Sequence, residues 1–189
     1  MRGALKIPML LGLCLSLAAC ATMSGPTASA PQPLKPIDVG QFFTGRWYEI
    51  ARTPISLVKG CVAGTTDFYH NTNGRLVERD ECRMGSPEGK VKNFQGPIHI
   101  LNPGQNNKFV VHYTLFYVVP FAQTYWILDH GTNYHWFIVA TPSFKEISIL
   151  DRDPRPTAAQ TAALVARARA LGYDVSKLQF PPEFPPGQG

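Results

Sequence analysis

Apolar and polar residues alternate between residues 46 and 151 in short runs separated by turn residues. Alternation with a period of two is typical of β-strands that bury one face. The pattern predicts eight strands, at residues 46–53, 61–70, 75–83, 90–101, 108–117, 122–129, 134–141 and 144–151. Because the connections are short, we expect an antiparallel meander, and closing it into a barrel would remove its exposed edges.

A different period follows the last strand. Apolar residues recur at Leu164, Val165, Ala168 and Leu171, which is a helical stripe. Thr157 is a suitable N-cap, and Gly172 lies where a C-terminal cap is expected. We therefore predict one helix over residues 158–171.

The first twenty residues follow the pattern of an export signal. Two cations precede an apolar run at residues 7–19, which is too short to be a confident membrane-spanning helix. The run ends Leu17-Ala18-Ala19-Cys20, which resembles the lipobox of bacterial lipoproteins. That resemblance implies cleavage before Cys20 and acylation of this residue. The alternative is an ordinary cleavage that leaves Cys20 as a free thiol.

The rest of the chain divides by composition. Residues 20–36 are rich in Pro, Ala, Ser and Thr and are predicted to be a tether. Residues 37–180 form the predicted domain, and residues 181–189 form a Pro-rich tail. Ala21, where some lipoproteins have Asp, implies sorting to the outer membrane by the same resemblance.

Gly45, Trp47 and Arg152 mark the two ends of the strand-rich segment. Gly45-x-Trp47 opens the first strand, Leu128-Asp129 precedes Tyr134, and Arg152 leaves the last strand. This order resembles the lipocalin family, and the phrase Trp47-Tyr48-Glu49-Ile50-Ala51-Arg52 is most similar to its bacterial outer-membrane lipoprotein branch. The resemblance implies an eight-stranded up-and-down barrel with one helix packed outside, and Arg152 lying over Trp47 to close the barrel floor.

Strand parity carried from the resemblance implies an inward-facing ligand pocket. Its predicted residues are Glu49, Phe109, Val111, Tyr113, Leu115, Tyr125, Ile127, Trp136, Ile138 and Ser148. The same parity places Ala51 and Asp129 inside. The outward set on the last two strands (Phe137, Val139, Ile147 and Ile149) is too apolar to face water, so we expect the helix to cover it.

The charge and the cysteines of the sequence argue against nucleic-acid binding and for a disulfide-bonded domain. Only 16% of residues are charged, and the net charge of +5 is spread over scattered cations, which excludes an ordinary nucleic-acid surface. Cys61 and Cys82 lie on adjacent predicted strands, and an oxidising compartment favours a disulfide between them. Pairing residue 70 with residue 75 makes these cysteines diagonal neighbours, so a bulge would have to adjust them. The alternative is a reactive thiol.

No catalytic, metal or cofactor motif is present in the sequence. The five histidines lack ligand spacing, and no nucleophile elbow, P-loop or dinucleotide-binding stretch occurs. Glu49 and Glu146 would both face inward and could form an acid pair. The more ordinary interpretation is that each is a buried polar group bonded to Tyr, Ser or Arg.

The resemblance implies a ligand-binding protein with no enzymatic activity. The implied ligands are fatty acids or lysophospholipids, with Tyr113, Tyr125, Ser148 and Glu49 orienting a polar head. The implied setting is the periplasmic side of the outer membrane, with a role in lipid storage, transport or envelope maintenance; dimers occur in this branch. Two alternatives remain open, a lipid-modifying enzyme on the same barrel and a protein-interaction barrel with a filled interior.

Overall fold

Eight antiparallel strands close into a barrel in which each strand pairs with its neighbours along the chain and the last pairs with the first. The computed structural model describes residues 29–115, 119–181 and 184. The strands are β1 (Gly45–Arg52), β2 (Cys61–His70), β3 (Leu76–Met84), β4 (Val91–Ile100), β5 (Lys108–Leu115), β6 (Val119–His130), β7 (Trp136–Ala140) and β8 (Ile147–Asp151). The predicted up-and-down barrel is confirmed.

Two α-helices accompany the strands. Helix α2 (Ala158–Ala170) is the predicted helix, and Thr157 caps it through a reciprocal capping box with Gln160. The sequence analysis did not predict the four-residue helix α1 (Val39–Phe42), because one turn is too short to show a helical period. Single 3-10 turns occur at Ser56–Val58 and Val175–Lys177.

Several predictions fall on residues that the structure does not describe. The signal peptide and Cys20 lie outside the described residues, as do the last two residues of the strand predicted at 108–117. Leu115 belongs to β5, but its side chain is also outside the described part.

A β-bulge in β1 reverses which residues face the barrel interior. Glu49 lies opposite Leu150 on β8, but the register then shifts so that Ala51 lies opposite Ile149 and Arg52 opposite Ser148. Directly opposite residues point to the same face of a sheet, and one inserted residue moves the following side chains to the other face. The prediction that Ala51 faces inward is therefore wrong, since Arg52 takes that direction.

A second bulge, in β6, has the same effect on β6 and β7. Ile127 lies opposite Val139, whereas Asp129 lies opposite Ile138 after the shift. On β7, Phe137 and Val139 lie opposite the inward residues Leu150 and Ser148. Asp129 therefore faces outward, contrary to the prediction, and so do Trp136 and Ile138, which alternate with Phe137 and Val139 along β7.

An outer layer covers the wall made by β1, β6, β7 and β8. Its buried core combines barrel residues with Leu164 and Ala168 of α2. The barrel contributes Ala51, Leu128, Ile138, Ala140, Ile147 and Ile149. The helix thus covers Ile147 and Ile149 as predicted, but Phe137 and Val139 lie inside the barrel.

Residues 29–36, predicted as the domain-proximal part of the tether, lie along the outside of the barrel. Ala30 is buried, and its amide donates to the carbonyl of Pro142 at 3.0 Å. Further along, the Lys35 ammonium bonds the Asp129 carboxylate at 2.5 Å, and Arg167 of α2 reaches the other oxygen of that carboxylate at 2.8 Å. Partial burial opposes ionisation of Asp129, but these two cations outweigh it and lower its pKa.

Cys61 and Cys82 form the predicted disulfide, with their Cα atoms 5.5 Å apart. The predicted register was one residue off over most of the β2–β3 pair, because His70 lies opposite Leu76. A bulge between Cys61 and Ala63 then places Cys82 opposite Gly64. This irregularity brings the two cysteines within bonding reach.

Candidate functional site

The barrel has a closed end, the floor, where β1 begins and β8 ends. Asp38 caps α1 by accepting from the Gln41 amide at 2.9 Å, and this turn places Phe42 and Phe43 across the opening. Phe42 is fully buried, and its ring centroid lies 4.9 Å from that of Phe137 and 5.3 Å from that of Trp47. Edge-to-face aromatic contacts fill this end of the interior.

Arg152 completes the floor. Its Cζ lies 3.5 Å from the centroid of the Trp47 ring, and its Nη1 donates to the carbonyl of Arg46 at 2.8 Å. Trp47 is fully buried. Partial burial among apolar groups lowers the pKa of Arg152 to about 10, so the guanidinium is still charged at neutral pH. Arg152 and Trp47 therefore meet in a cation–π contact.

Above the floor, the barrel holds a cavity of about 590 Å³. It opens at the other end, the mouth, which is formed by residues 53–60, 85–90 and 141–146. The apolar lining close to the floor is made by Phe68, Phe109, Phe137 and Leu150. A cavity of this size holds one small molecule with an apolar body.

Three side chains on β3 and β5 form a polar cluster in the middle of the cavity wall. The Tyr113 hydroxyl lies 2.5 Å from Oε1 of Glu78 and 2.9 Å from Oδ2 of Asp80. Thr66 on β2 donates to the other oxygen of Asp80 at 2.7 Å. We call Glu78, Asp80 and Tyr113 the acid–tyrosine cluster.

The acid–tyrosine cluster retains protons at higher pH than isolated side chains do. Burial, and then the charge of Asp80, raises the pKa of Glu78 well above its ordinary value. Burial also raises the pKa of Asp80. A phenol has one proton to donate, so Tyr113 can bond both carboxyl groups only if one of them is protonated and donates to it. A proton shared between the two acids is the arrangement that this geometry and the raised pKa values favour.

A second polar group lies across the cavity on β1. The carboxylate of Glu49 accepts from Arg52 at 2.5 Å and from the Ser148 hydroxyl at 3.2 Å. Burial raises the pKa of Glu49 in spite of these partners. Arg52 also donates to the carbonyl of Cys61 at 2.6 Å. Gly64 lies opposite, where a Cβ atom would stand 2.5 Å from a Glu49 carboxylate oxygen, so a larger residue there would require the Glu49 carboxylate to move.

The structure brings five of the ten predicted pocket residues to the cavity wall: Glu49, Phe109, Tyr113, Tyr125 and Ser148. Val111 and Ile127 are buried inside the barrel but pack in the aromatic core without lining the cavity. The side chain of Leu115 lies outside the described part.

Trp136 and Ile138 were predicted in the pocket, and this prediction is wrong. Both pack in the outer layer, because their cross-strand partners on β8 point outward. Trp136 lies under two cations, with Nζ of Lys35 5.9 Å and Cζ of Arg167 4.8 Å from its ring centroid. The tryptophan thus fixes the outer layer to the barrel wall.

The sequence analysis missed Arg52, Glu78 and Asp80. Arg52 could not be found by alternation, because the β1 bulge changes its direction. Glu78 and Asp80 had a usable signal, since they share the parity of Cys82 on one strand. A disulfide that joins β2 to β3 on the inner face requires both acids to face inward as well. The preferred interpretation of Glu49 agrees with the structure, because its carboxylate accepts from Arg52 and Ser148. The two acids that lie together in the cavity are Glu78 and Asp80, not the alternative pair of Glu49 and Glu146.

The described part of the chain contains neither a membrane-spanning helix nor a cluster of metal-binding side chains. None of its helices is long and apolar enough to cross a membrane. No group of three or more His, Cys, Asp or Glu side chains in residues 29–115, 119–181 and 184 is arranged to hold a metal ion.

Comparison with known proteins gives a consistent result. The model of the Lipocalin-like domain family matches residues 37–183. Temperature-induced lipocalin-1 of Arabidopsis thaliana is 27% identical over 147 residues, which cover 75% of this chain and 77% of the plant protein. The outer membrane lipoprotein Blc of Vibrio cholerae is 20% identical over 164 residues, covering 85% of this chain and 93% of the relative. Among solved structures, insecticyanin from the tobacco hornworm Manduca sexta superposes with a TM-score of 0.60 at 16% identity, covering 80% of this chain and 83% of insecticyanin.

Proposed function

Because the chain belongs to the lipocalin family, whose members bind small hydrophobic ligands, we propose that it holds one single-chain lipid inside the barrel. We further propose that this lipid is a lysophospholipid whose zwitterionic head ends in an ammonium group, rather than a fatty acid. One observation carries the proposal: a cavity with an aromatic lower wall has the acid–tyrosine cluster set into its side.

The lower wall suits an acyl chain. Phe68, Phe109 and Phe137 present apolar rings next to the floor, and the polar part of the wall begins at Glu78, which lies directly opposite Phe68 on the neighbouring strand. Each methylene that leaves water contributes about 0.8 kcal/mol to binding. A single chain therefore obtains most of its affinity from this part of the barrel.

The cluster determines which head group fits beside that chain. A fatty-acid carboxylate at this depth would place a further negative charge near Glu78, Asp80 and Glu49, which is unfavourable in a buried site. Among the described residues that line the cavity, Arg52 is the one cation, and it already bonds Glu49 and the Cys61 carbonyl. An ammonium or choline group would instead replace the shared proton and be paired with the two carboxylates.

The cavity also bears on the two alternative functions. Its volume of about 590 Å³ leaves room for a ligand, which favours ligand binding over an interaction barrel with a filled interior. The lipid-modifying enzyme has one observation in its favour, because a protonated Glu78 is a candidate general acid. A change in the mass of the bound lipid would support the enzyme.

The proposed location is the periplasmic side of the outer membrane, with Cys20 acylated and residues 21–28 as a tether. The lipobox resemblance and the similarity to a protein named as an outer membrane lipoprotein support this proposal. A lipid carrier at that surface would serve storage, transport or maintenance of the envelope.

The test compares two ligands with chains of equal length, lysophosphatidylethanolamine and the corresponding fatty acid. We expect the wild type to bind the lysophospholipid more tightly, and Glu78→Gln together with Asp80→Asn to reduce this preference at least tenfold. Glu88→Gln removes a charge from an exposed acid in the β3–β4 turn and serves as the control. Calorimetry measures both affinities, and mass spectrometry of the recovered lipid detects turnover. A wild type that prefers the fatty acid would contradict the proposed head group.

A further inference from the structure

The N-terminal end of the described chain, at residues 29 and 30, contacts the barrel at its mouth. The Ala30 amide bonds the carbonyl of Pro142, which lies in the turn between β7 and β8. Thr141 and Glu146 of the same turn line the cavity. From Ala30 the chain descends along the barrel to Lys35, which bonds Asp129 near the end of β6, and then to α1 at the floor.

This entry point limits where an anchored Cys20 can be. Residues 21–29 separate Cys20 from Ala30, so ten peptide steps join them. Each step spans at most about 3.6 Å, which gives a reach of roughly 36 Å from the mouth. A bilayer at the floor would require the tether to run back along strands of 8 to 12 residues, about 26–40 Å in length. A bilayer at the mouth requires no such return.

The mouth carries apolar side chains that the domain itself leaves uncovered. Leu57, Val119 and Phe121 are 42%, 50% and 37% exposed, although each is a large apolar residue. Phe180 is 54% exposed, and it follows Gln179, whose backbone pairs with Arg52 at the mouth end of β1. We call these four residues the mouth rim. They are four of the seven large apolar side chains that are exposed in the described part of the chain.

Charges near the rim suit an anionic lipid surface. The loops at residues 53–60, 85–90 and 141–146 expose three lysines, at positions 59, 90 and 145, against one exposed acid, Glu88. Cations close to a bilayer with anionic lipids are attracted to it, and apolar side chains between them enter the interface.

We infer that the mouth rim docks on the bilayer that holds the acyl chains of Cys20, so that the cavity opens toward the lipid surface. The inference rests on the proposed acylation of Cys20. It extends the proposed function, because docking would fix the orientation of the barrel relative to the bilayer. The partner of the mouth rim is then the bilayer itself. A ligand can then pass between leaflet and cavity without crossing the periplasm.

The test uses two leucines of nearly equal exposure at opposite ends. Leu57 at the mouth is 42% exposed, and Leu101 at the floor end is 46% exposed. A photo-crosslinking phenylalanine analogue replaces one or the other in the full-length protein, which is purified with its anchor. Each variant is placed in vesicles of phosphatidylethanolamine and phosphatidylglycerol that contain a labelled two-chain lipid.

We expect position 57 to give at least tenfold more crosslinked lipid than position 101. Equal yields, or crosslinks from position 57 to a second copy of the chain, would overturn the docking. The mass of the same samples reports acylation of Cys20 independently. If the protein is acylated and the two positions give equal crosslink yields, only the docking proposal is wrong. If the protein is not acylated, both the proposed anchor and the docking are wrong. Binding of a soluble lipid probe by both variants verifies that the barrel is folded.

Discussion

The two halves of the barrel interior differ in what fills them. Toward the floor, Phe42, Trp47 and Phe137 are buried in mutual contact, and Arg152 closes the end. Halfway up, the buried groups are carboxyls, with Glu78 only 4% exposed, and the space between them is open. Buried acids cost stability that apolar residues of similar volume would not cost. The floor therefore contributes stability, whereas the buried acids of the cavity wall reduce it.

The largest effect is expected at the floor, for Phe42→Ala. Truncation of a fully buried phenylalanine costs about 3–5 kcal/mol, because apolar burial is lost and a cavity remains. The matched change at the mouth is Phe121→Ala, where the side chain is 37% exposed. We expect a much smaller loss there. Urea unfolding of both variants measures the difference, and equal losses would show that the two ends are equally important for folding.

Arg152→Ala tests the closure of the floor and is expected to have a smaller effect. A cation–π contact with Trp47 contributes roughly 0.5–2 kcal/mol, and the stem of the arginine adds packing over the indole. The melting temperature should fall, while a small apolar probe should still bind the folded fraction. Arg155→Ala removes the same charge from an exposed position nearby and is the control. A wild-type melting temperature in Arg152→Ala would mean that the contact contributes nothing to stability.

Glu78→Gln is expected to have the smallest effect and the opposite sign. The pKa of Glu78 is higher in the folded than in the unfolded protein, mainly because the group is buried. As pH rises above the unfolded value near 4.3, the unfolded chain ionises first, so this group lowers folding stability progressively until the folded pKa is reached. Replacing it should raise the melting temperature at pH 7 by about 2–4 °C, the shift that roughly 1 kcal/mol produces in a domain of this size.

The pH dependence separates this effect from a change in packing. At pH 4 the wild-type carboxyl is largely protonated in both states, so we expect the two proteins to melt at nearly the same temperature. The other titratable groups around the site are the same in both proteins. They are Asp80 and Tyr113 of the cluster, Glu49 and Arg52 on β1, Asp67 on β2, Tyr125 on β6 and Glu146 before β8. A constant difference between pH 4 and pH 7 would contradict a titration of Glu78.

The fold could be predicted from the sequence because each strand shows its own alternation. The eight strands and α2 were found within a few residues of their observed limits. The errors in assigning residues to the inner or outer face arise from β-bulges, which the alternation of apolar and polar residues does not reveal. A bulge inserts one residue without any sign in the hydrophobic pattern, so Ala51 and Asp129 were assigned to the wrong face.

The candidate site was harder to predict than the fold, for the same reason. Strand parity carried from the family resemblance placed Trp136 and Ile138 in the pocket, and only the pairing of β7 with β8 shows that they face the helix. Glu78 and Asp80 look like surface residues because they are charged. Their direction followed from the parity of Cys82, so a complete parity assignment of β3 would have found them.

The closed floor also has a kinetic consequence. With Arg152 and α1 blocking one end, the described part of the barrel leaves the cavity a single port, so an incoming molecule cannot displace an occupant from behind. For the lipid proposed above, exchange would then proceed by dissociation first, and its rate would be independent of how much competitor is supplied. The residence time would be set by the barrel, and the surrounding lipid pool would decide only which molecule enters next.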